Sequence, residues 1–137
     1  MSFTNFLEQK VLEHTFRNVA YTSPSATYVG LFTSTPTDAS AGTEVSGGDY
    51  ARQAVTFTFV AGDPSYVKNS GNITFPTATA SWGTITYAGI FDALTTGNFL
   101  AWAQLTLSSD FTTANSKLIN IGDIFRISAD NLQVRLS

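Results

Sequence analysis

The chain contains no cysteine. Disulfides, thiolate nucleophiles and cysteine-ligated metal sites are therefore excluded, and the absence fits cytoplasmic synthesis. Charge is also sparse: Asp, Glu, Lys and Arg make up 12% of the residues, about half the usual share of roughly 25%. A free monomer carries more charge on its surface, so low charge with abundant Thr, Ser, Ala and Gly suits a subunit packed against neighbours. The seven basic residues are scattered and the formal net charge is −3. No Lys/Arg cluster is available to displace counterions from phosphates, and no basic amphipathic face is available for a membrane surface. Neither nucleic acid nor membrane is an expected partner. No apolar run approaches the ~20 residues of a bilayer span. The opening Met1-Ser-Phe-Thr-Asn-Phe-Leu-Glu8 lacks a basic n-region and a small-residue cleavage site, so no signal peptide is expected.

What is present is apolar material in two periods. The hydrophobic share is 43% of 137 residues, enough for a folded chain and for one domain spanning 1–137. Phe3, Phe6, Leu7, Val11, Leu12, Phe16 and Val19 recur at helical spacings. Ser2 or Thr4 can cap the N-terminus, and Glu13 precedes Arg17 by four residues, the favourable orientation for a helical ion pair. The spacing predicts a helix over about 3–18, ending before Pro24.

Beyond Pro24 the period becomes two. Strands are predicted at Thr27–Thr33, at Arg52–Val60 with Val55, Phe57 and Phe59 on one face, and at Ile73–Phe75. Trp82–Ala93 and Asn98–Leu107 read as a hairpin joined by Leu94-Thr-Thr-Gly97, with Trp82 at the strand entrance and partly exposed. Lys117–Gly122, Ile124–Ala129 and Leu132–Leu136 follow, linked by tight turns at Gly122-Asp123 and Asp130-Asn131. The segment between Gly62-Asp-Pro64 and Asn69-Ser-Gly-Asn72 reads as a short linker, and 34–49 as a long polar loop of the kind that is functional or a contact arm. Short strands with regular turns predict a mainly β fold, an antiparallel jelly-roll-like β-sandwich over about 26–137 with one N-terminal α-helix.

Chemistry has little to work with. The single histidine, His14, lies in the predicted helix without a converging nucleophile and orienting group, and no G-x-S-x-G element occurs. Among enzymes, a glycosidase using two of the ten carboxylates has the most material. Yet most of these residues adjoin Gly, Pro, Asn or Ser, where Asp forms turns. No calcium-loop pattern is present, and no catalytic residue, metal or cofactor is expected. Arg52 follows a glycine turn beside Tyr50 and near Glu44 and Asp49, so a bidentate pairing could anchor the long loop. The aromatics of the central hairpin, Trp82 and Trp102 included, can build a core, stack on sugars or anchor a protein partner. Glu44, Asp49, Tyr50, Arg52 and Trp82 are the candidate partner-contact residues.

Six ordered pieces carry a resemblance: Phe3-Thr-Asn-Phe-Leu-Glu-Gln-Lys-Val-Leu-Glu-His14, Tyr28-Val-Gly-Leu-Phe-Thr-Ser-Thr-Pro-Thr-Asp38, Gly42 through Phe57, Thr74 through Asp92, Gly97-Asn-Phe-Leu-Ala-Trp102, and Asn120-Ile-Gly-Asp-Ile-Phe-Arg126. In collinear order they are similar to a family of small tailed-bacteriophage virion proteins often labelled phage tail fibre proteins. The chain departs from that pattern at Ala61–Ser70 and Ser108–Ser116, which bears on partner contacts rather than on the fold. The resemblance implies a non-enzymatic virion component made in the host cytoplasm. It would be a capsid cement or decoration subunit, or a tail-associated fibre-type subunit, binding major capsid or tail proteins as a homo-oligomer. The alternative is a receptor-binding module that recognises host surface glycans through Trp82 or Trp102.

Overall fold

The computed structural model describes residues 1–136, which form twelve strands and one helix. The chain opens with a short strand, β1 (Ser2–Phe3), and the helix α1 covers Asn5–Phe16. Thr4 stands between them, 2% exposed. Its hydroxyl accepts the Leu7 N–H at 3.4 Å as an N-cap and donates to the Phe99 carbonyl at 2.6 Å. The helix ends on Asn18, whose φ of 56° is left-handed, with the Val19 N–H donating back to the Glu13 carbonyl at 3.1 Å. Asn tolerates that conformation better than most residues. The helix is therefore shorter than its apolar spacing predicts. Ser2 and Phe3 are drawn into a sheet, and the C-cap acts well before Pro24. The Glu13–Arg17 pair forms at 3.7 Å.

The main sheet has the order β1-β9-β8-β2-β3, all antiparallel, with β2 at Thr27–Phe32, β3 at Gln53–Val55, β8 at Tyr87–Phe91 and β9 at Phe99–Gln104. The β8–β9 pairing realises the hairpin expected from sequence. Both faces of β2 are covered. Val29 and Leu31 enter the main core, while Phe32 on the opposite face packs with Phe91 and Phe99, ring centroids 5.1–6.0 Å apart. Gly30 and Gly89 pair directly across the sheet. A Cβ on Gly89 would lie 2.5 Å from Phe99 and 2.7 Å from Phe32, so the aromatic cluster occupies the space a side chain would need.

The remaining strands are β4 (Phe57–Val60), β5 (Tyr66–Asn69), β6 (Ile73–Thr74), β7 (Gly83–Ile85), β10 (Lys117–Ile119), β11 (Arg126–Ile127) and β12 (Gln133–Arg135). They fall into three further sheets, β12-β5-β4, β11-β6 and β10-β7. The pairings Val67↔Val134, Ile73↔Ile127 and Thr84↔Leu118 keep nearly one antiparallel register. Residues 66–85 and 117–135 thus form one long ribbon, broken twice. At the first break Asn69 is 0% exposed and fully bonded. Its Nδ2 donates to the Gly71 and Ser128 carbonyls at 2.8 and 2.9 Å, and its Oδ1 accepts the Leu132 N–H at 2.8 Å. Ile73, Phe75, Trp82, Ile85, Ile119, Phe125 and Leu132 carry the ribbon's inner side into the core with Val29, Leu31 and Val55.

Several expectations change. The strand expected over Arg52–Val60 splits at Thr56, whose carbonyl accepts the Ser70 N–H at 2.9 Å. β3 then joins the main sheet, β4 joins β5, and Phe59 is left 67% exposed instead of facing the core. The expected linker contains β5. The three C-terminal strands pair with β5, β6 and β7 rather than with one another, so their connecting turns are not hairpins. The pairings establish a mainly β fold with an N-terminal helix. They do not establish a two-sheet sandwich or jelly roll, because hydrogen bonding divides the strands among four sheets. Gly89→Ala is expected to lower stability by about 1–3 kcal/mol through overpacking. Urea unfolding checks this, and an unchanged midpoint would show that the aromatic cluster yields freely.

Candidate functional site

The long loop closes onto the sheet rather than projecting from it. Val45 donates its N–H to the Leu31 carbonyl at 3.0 Å, Thr33 donates to the Thr43 carbonyl at 3.1 Å, and Glu44 bridges to Phe32. Residues 43–45 thereby continue the edge of β2 past the end of β3. Between the two, the Leu31 N–H would have no strand partner. The Tyr50 hydroxyl accepts it at 2.9 Å, so a side chain fills the gap in the ladder.

That hydroxyl in turn donates to Glu44 Oε1 at 2.8 Å. Arg52 grips the same carboxylate bidentately, Nε to Oε1 and Nη2 to Oε2, both at 2.8 Å. Its Nη1 donates to the Ala93 and Thr96 carbonyls at 2.9 and 2.8 Å. The guanidinium lies 3.4 Å from the Phe91 ring centroid, and the side chain is 9% exposed. One cation therefore ties together the long loop, the entry to β3, strand β8 and the β8–β9 connection. Burial, reinforced by the Glu44 charge, pushes the Tyr50 hydroxyl far above its ordinary range. It stays protonated and keeps donating. Gly30 is required here as well, because a Cβ would stand 2.9 Å from Glu44 Oε1.

Trp82 is buried at 5% exposure, not partly exposed at a strand entrance. Its indole N–H donates to the Gly48 carbonyl at 2.9 Å and its ring meets Tyr50 edge-on at 5.4 Å. Asp49 sits exposed at the loop tip with φ of 62°. Four of the five expected residues, Glu44, Tyr50, Arg52 and Trp82, thus converge on one node, with Asp49 at its rim. Sequence reasoning missed Phe91 and the carbonyls of Ala93 and Thr96, which lie some forty residues along the chain from Arg52 and share no spacing signal with it. Trp102 is half-buried, its indole N–H donating to Asp38 at 3.0 Å and its ring 5.8 Å from Tyr87.

His14 and several carboxylates have structural partners, whereas the buried Tyr21 hydroxyl has none among the described residues. The Tyr21 N–H donates to His14 Nδ1 at 3.3 Å, just past the helix end. Asp92 accepts from the Asn98 backbone at 2.6 Å, Asp123 from the Asn120 backbone at 2.8 Å, and Asp130 pairs with Lys68 at 3.0 Å. Among the described residues no three His, Asp or Glu gather as metal ligands. Asp110 accepts the Thr112 N–H at 2.9 Å, the Thr113 hydroxyl at 2.6 Å and the Thr113 N–H at 3.0 Å, and its carboxyl is held down at about 2 by those hydrogen bonds. It caps one wall of an open groove of about 870 Å³ between the 103–115 segment and the C-terminal side of the ribbon.

Residues 2–135 match a protein family described as Podophage GP4 fiber I protein gp80. The match spans nearly the whole chain, which therefore belongs to this family of phage fibre proteins, structural components of the virion. The family gives no support to a capsid cement or decoration role. No curated protein matches the chain.

Removing one partner of a buried ion pair strands the other. Arg52→Ala should accordingly cost about 3 kcal/mol in urea unfolding, and Arg52→Met with Glu44→Leu should recover most of it. A loss below about 1 kcal/mol, the range of a solvated surface pair, would show that the node does not hold the loop. For Asp110 the folded carboxyl lies below its ordinary 3.8, so its contribution is present above that value and lost as pH falls. The Thr112 and Thr113 amide shifts should hold from neutral pH to pH values below 3.8 and move with a midpoint near about 2; a midpoint at the ordinary value would remove the cap.

Proposed function

We propose that the chain, as a member of the podophage GP4 fiber I protein family, is a non-enzymatic building block of the fibre, held in the virion by contacts with neighbouring fibre and tail proteins. The observation that carries this reading is the outer side of α1. The helix has no buried residue, and Leu12, Phe16 and the following Val19 are 56%, 77% and 41% exposed. Twelve residues form a marginal helix alone. Here Thr4 and β1 fasten it to the sheet while its apolar outer side stays uncovered. Covering a Leu or Phe side chain contributes about 1.5–3 kcal/mol, enough for this face to favour an assembly. The sparse charge supports the same reading. In it Glu44, Tyr50, Arg52 and Trp82 form the frame of the loop, and Asp49 is the member of that group placed for direct contact with a partner.

The test is a Leu12→Glu/Phe16→Glu double variant supplied in trans to phage lacking its own copy. Circular dichroism and melting should match the unaltered chain, while incorporation into purified virions should fall about tenfold or more, the effect of losing at least 1.4 kcal/mol of contact. Incorporation at the unaltered level would take the helix out of the contact. Absence of the unaltered chain from virions would overturn the fibre reading itself.

A further inference from the structure

The groove is walled on one side by backbone that has a free edge. Strands β10, β11 and β12 each pair on one side only, with β7, β6 and β5, so among the described residues their other edges carry amide and carbonyl groups facing no strand. Leu118 and Ile124 on this wall are 58% and 57% exposed, and Phe111 across the groove is 42% exposed.

Its lining carries three cations and two carboxylates. Of the seven basic residues, Arg17, Arg52 and Lys68 form ion pairs and Lys10 lies over the Phe6 ring. The remaining three, Lys117, Arg126 and Arg135, all line the groove and form no ion pair among the described residues, though Arg135 stacks over the Tyr66 ring at 4.8 Å and donates to Gln133 at 2.6 Å. The two carboxylates on the same lining, Asp110 and Asp123, are bonded to backbone N–H groups of their own turns. At formal charge, three cations against two carboxylates leave the lining one positive charge in excess, and Lys117 and Arg126 carry their cations on the edge itself. Cations on an edge repel a second copy of the same edge, so the chain is protected from pairing with itself there and complementary to an acidic strand.

We infer that the groove takes an extended, acidic polypeptide segment of another virion protein, added as a strand to the free edge of residues 117–135. The inference rests on the fibre reading and names the kind of partner it requires. A polypeptide fits because only a backbone repeats donors and acceptors at the spacing of a strand edge. Its alternate side chains would divide between the apolar patch at Leu118 and Ile124 and the cations Lys117 and Arg126.

Short overlapping peptides tiling the other proteins of purified virions, probed with the full-length chain, test this. Binding is expected from acidic, extended segments. It should weaken about tenfold or more in Lys117→Glu/Arg126→Glu, and equally with unaltered protein when alternate peptide amides are N-methylated, a change independent of variant folding. Binding indifferent to N-methylation, preference for basic peptides, or no peptide bound would overturn the inference. So would displacement by polygalacturonate with no peptide effect, or self-association abolished by the charge reversal, which would name a polysaccharide or a second copy instead. No peptide binding with normal incorporation of the chain into virions removes the groove inference alone. Absence of the chain from virions removes the fibre reading beneath it.

Discussion

The Arg52 guanidinium, pressed against Phe91 and bonded to Glu44 and to the Ala93 and Thr96 carbonyls, is the constraint on which the arrangement of the sheet edge depends. A planar cation with five N–H groups in a fixed fork can satisfy several segments at once. Glu44 needs it, because a half-buried carboxylate beside the aromatic cluster would otherwise go unpaired. Tyr50 needs Glu44 as acceptor, and the Leu31 N–H needs Tyr50. Each polar group brought out of water in this chain of contacts finds its partner in the next. A buried ion pair adds little net stability over apolar residues of the same shape. Its effect here is positional, placing a long polar loop in one conformation against a sheet.

Around that node the fold divides its work between a sheet and a ribbon. The central strands β2 and β8 of the five-stranded sheet are covered on both faces, with Gly30 and Gly89 opposed between them. The long ribbon covers one of those faces and holds its register through Asn69, which replaces strand bonds at a break with three side-chain bonds. What the ribbon leaves behind is a free edge along its C-terminal half, and what the sheet leaves behind is the uncovered side of α1. Both are surfaces of incomplete burial. The proposed fibre role would complete such surfaces with neighbouring proteins. The most elaborate polar cluster of the chain closes a loop.

Much of the architecture was legible in the sequence because it depends on local periodicity. The helix, β2, the β8–β9 hairpin and the existence of C-terminal strands follow from spacings of three to four and of two. Thr4 as cap and Glu13–Arg17 as a pair are likewise local. The boundaries failed where a distant partner competed. Phe3 left the expected helix to pair with β9, as did the cap candidate Ser2, and the Arg52–Val60 run broke at Thr56 because its two halves pair with different strands. Within the site, Glu44, Tyr50 and Arg52 lie within nine residues, so their convergence could be read from proximity.

The sequence by itself determined a cysteine-free, sparsely charged, mainly β chain with one N-terminal helix, the family it resembles, and the bidentate option open to Arg52. These are consequences of composition and of contacts between near neighbours in the chain. The tertiary structure alone decided that Trp82 is buried against Gly48, that Arg52 reaches Phe91, and that residues 66–85 run back along 117–135. It also decided which apolar residues stay in water, Phe16 and Phe59 among them. The physical reason is that alternation fixes which face of a strand is apolar, while pairing between segments far apart fixes what, if anything, covers that face.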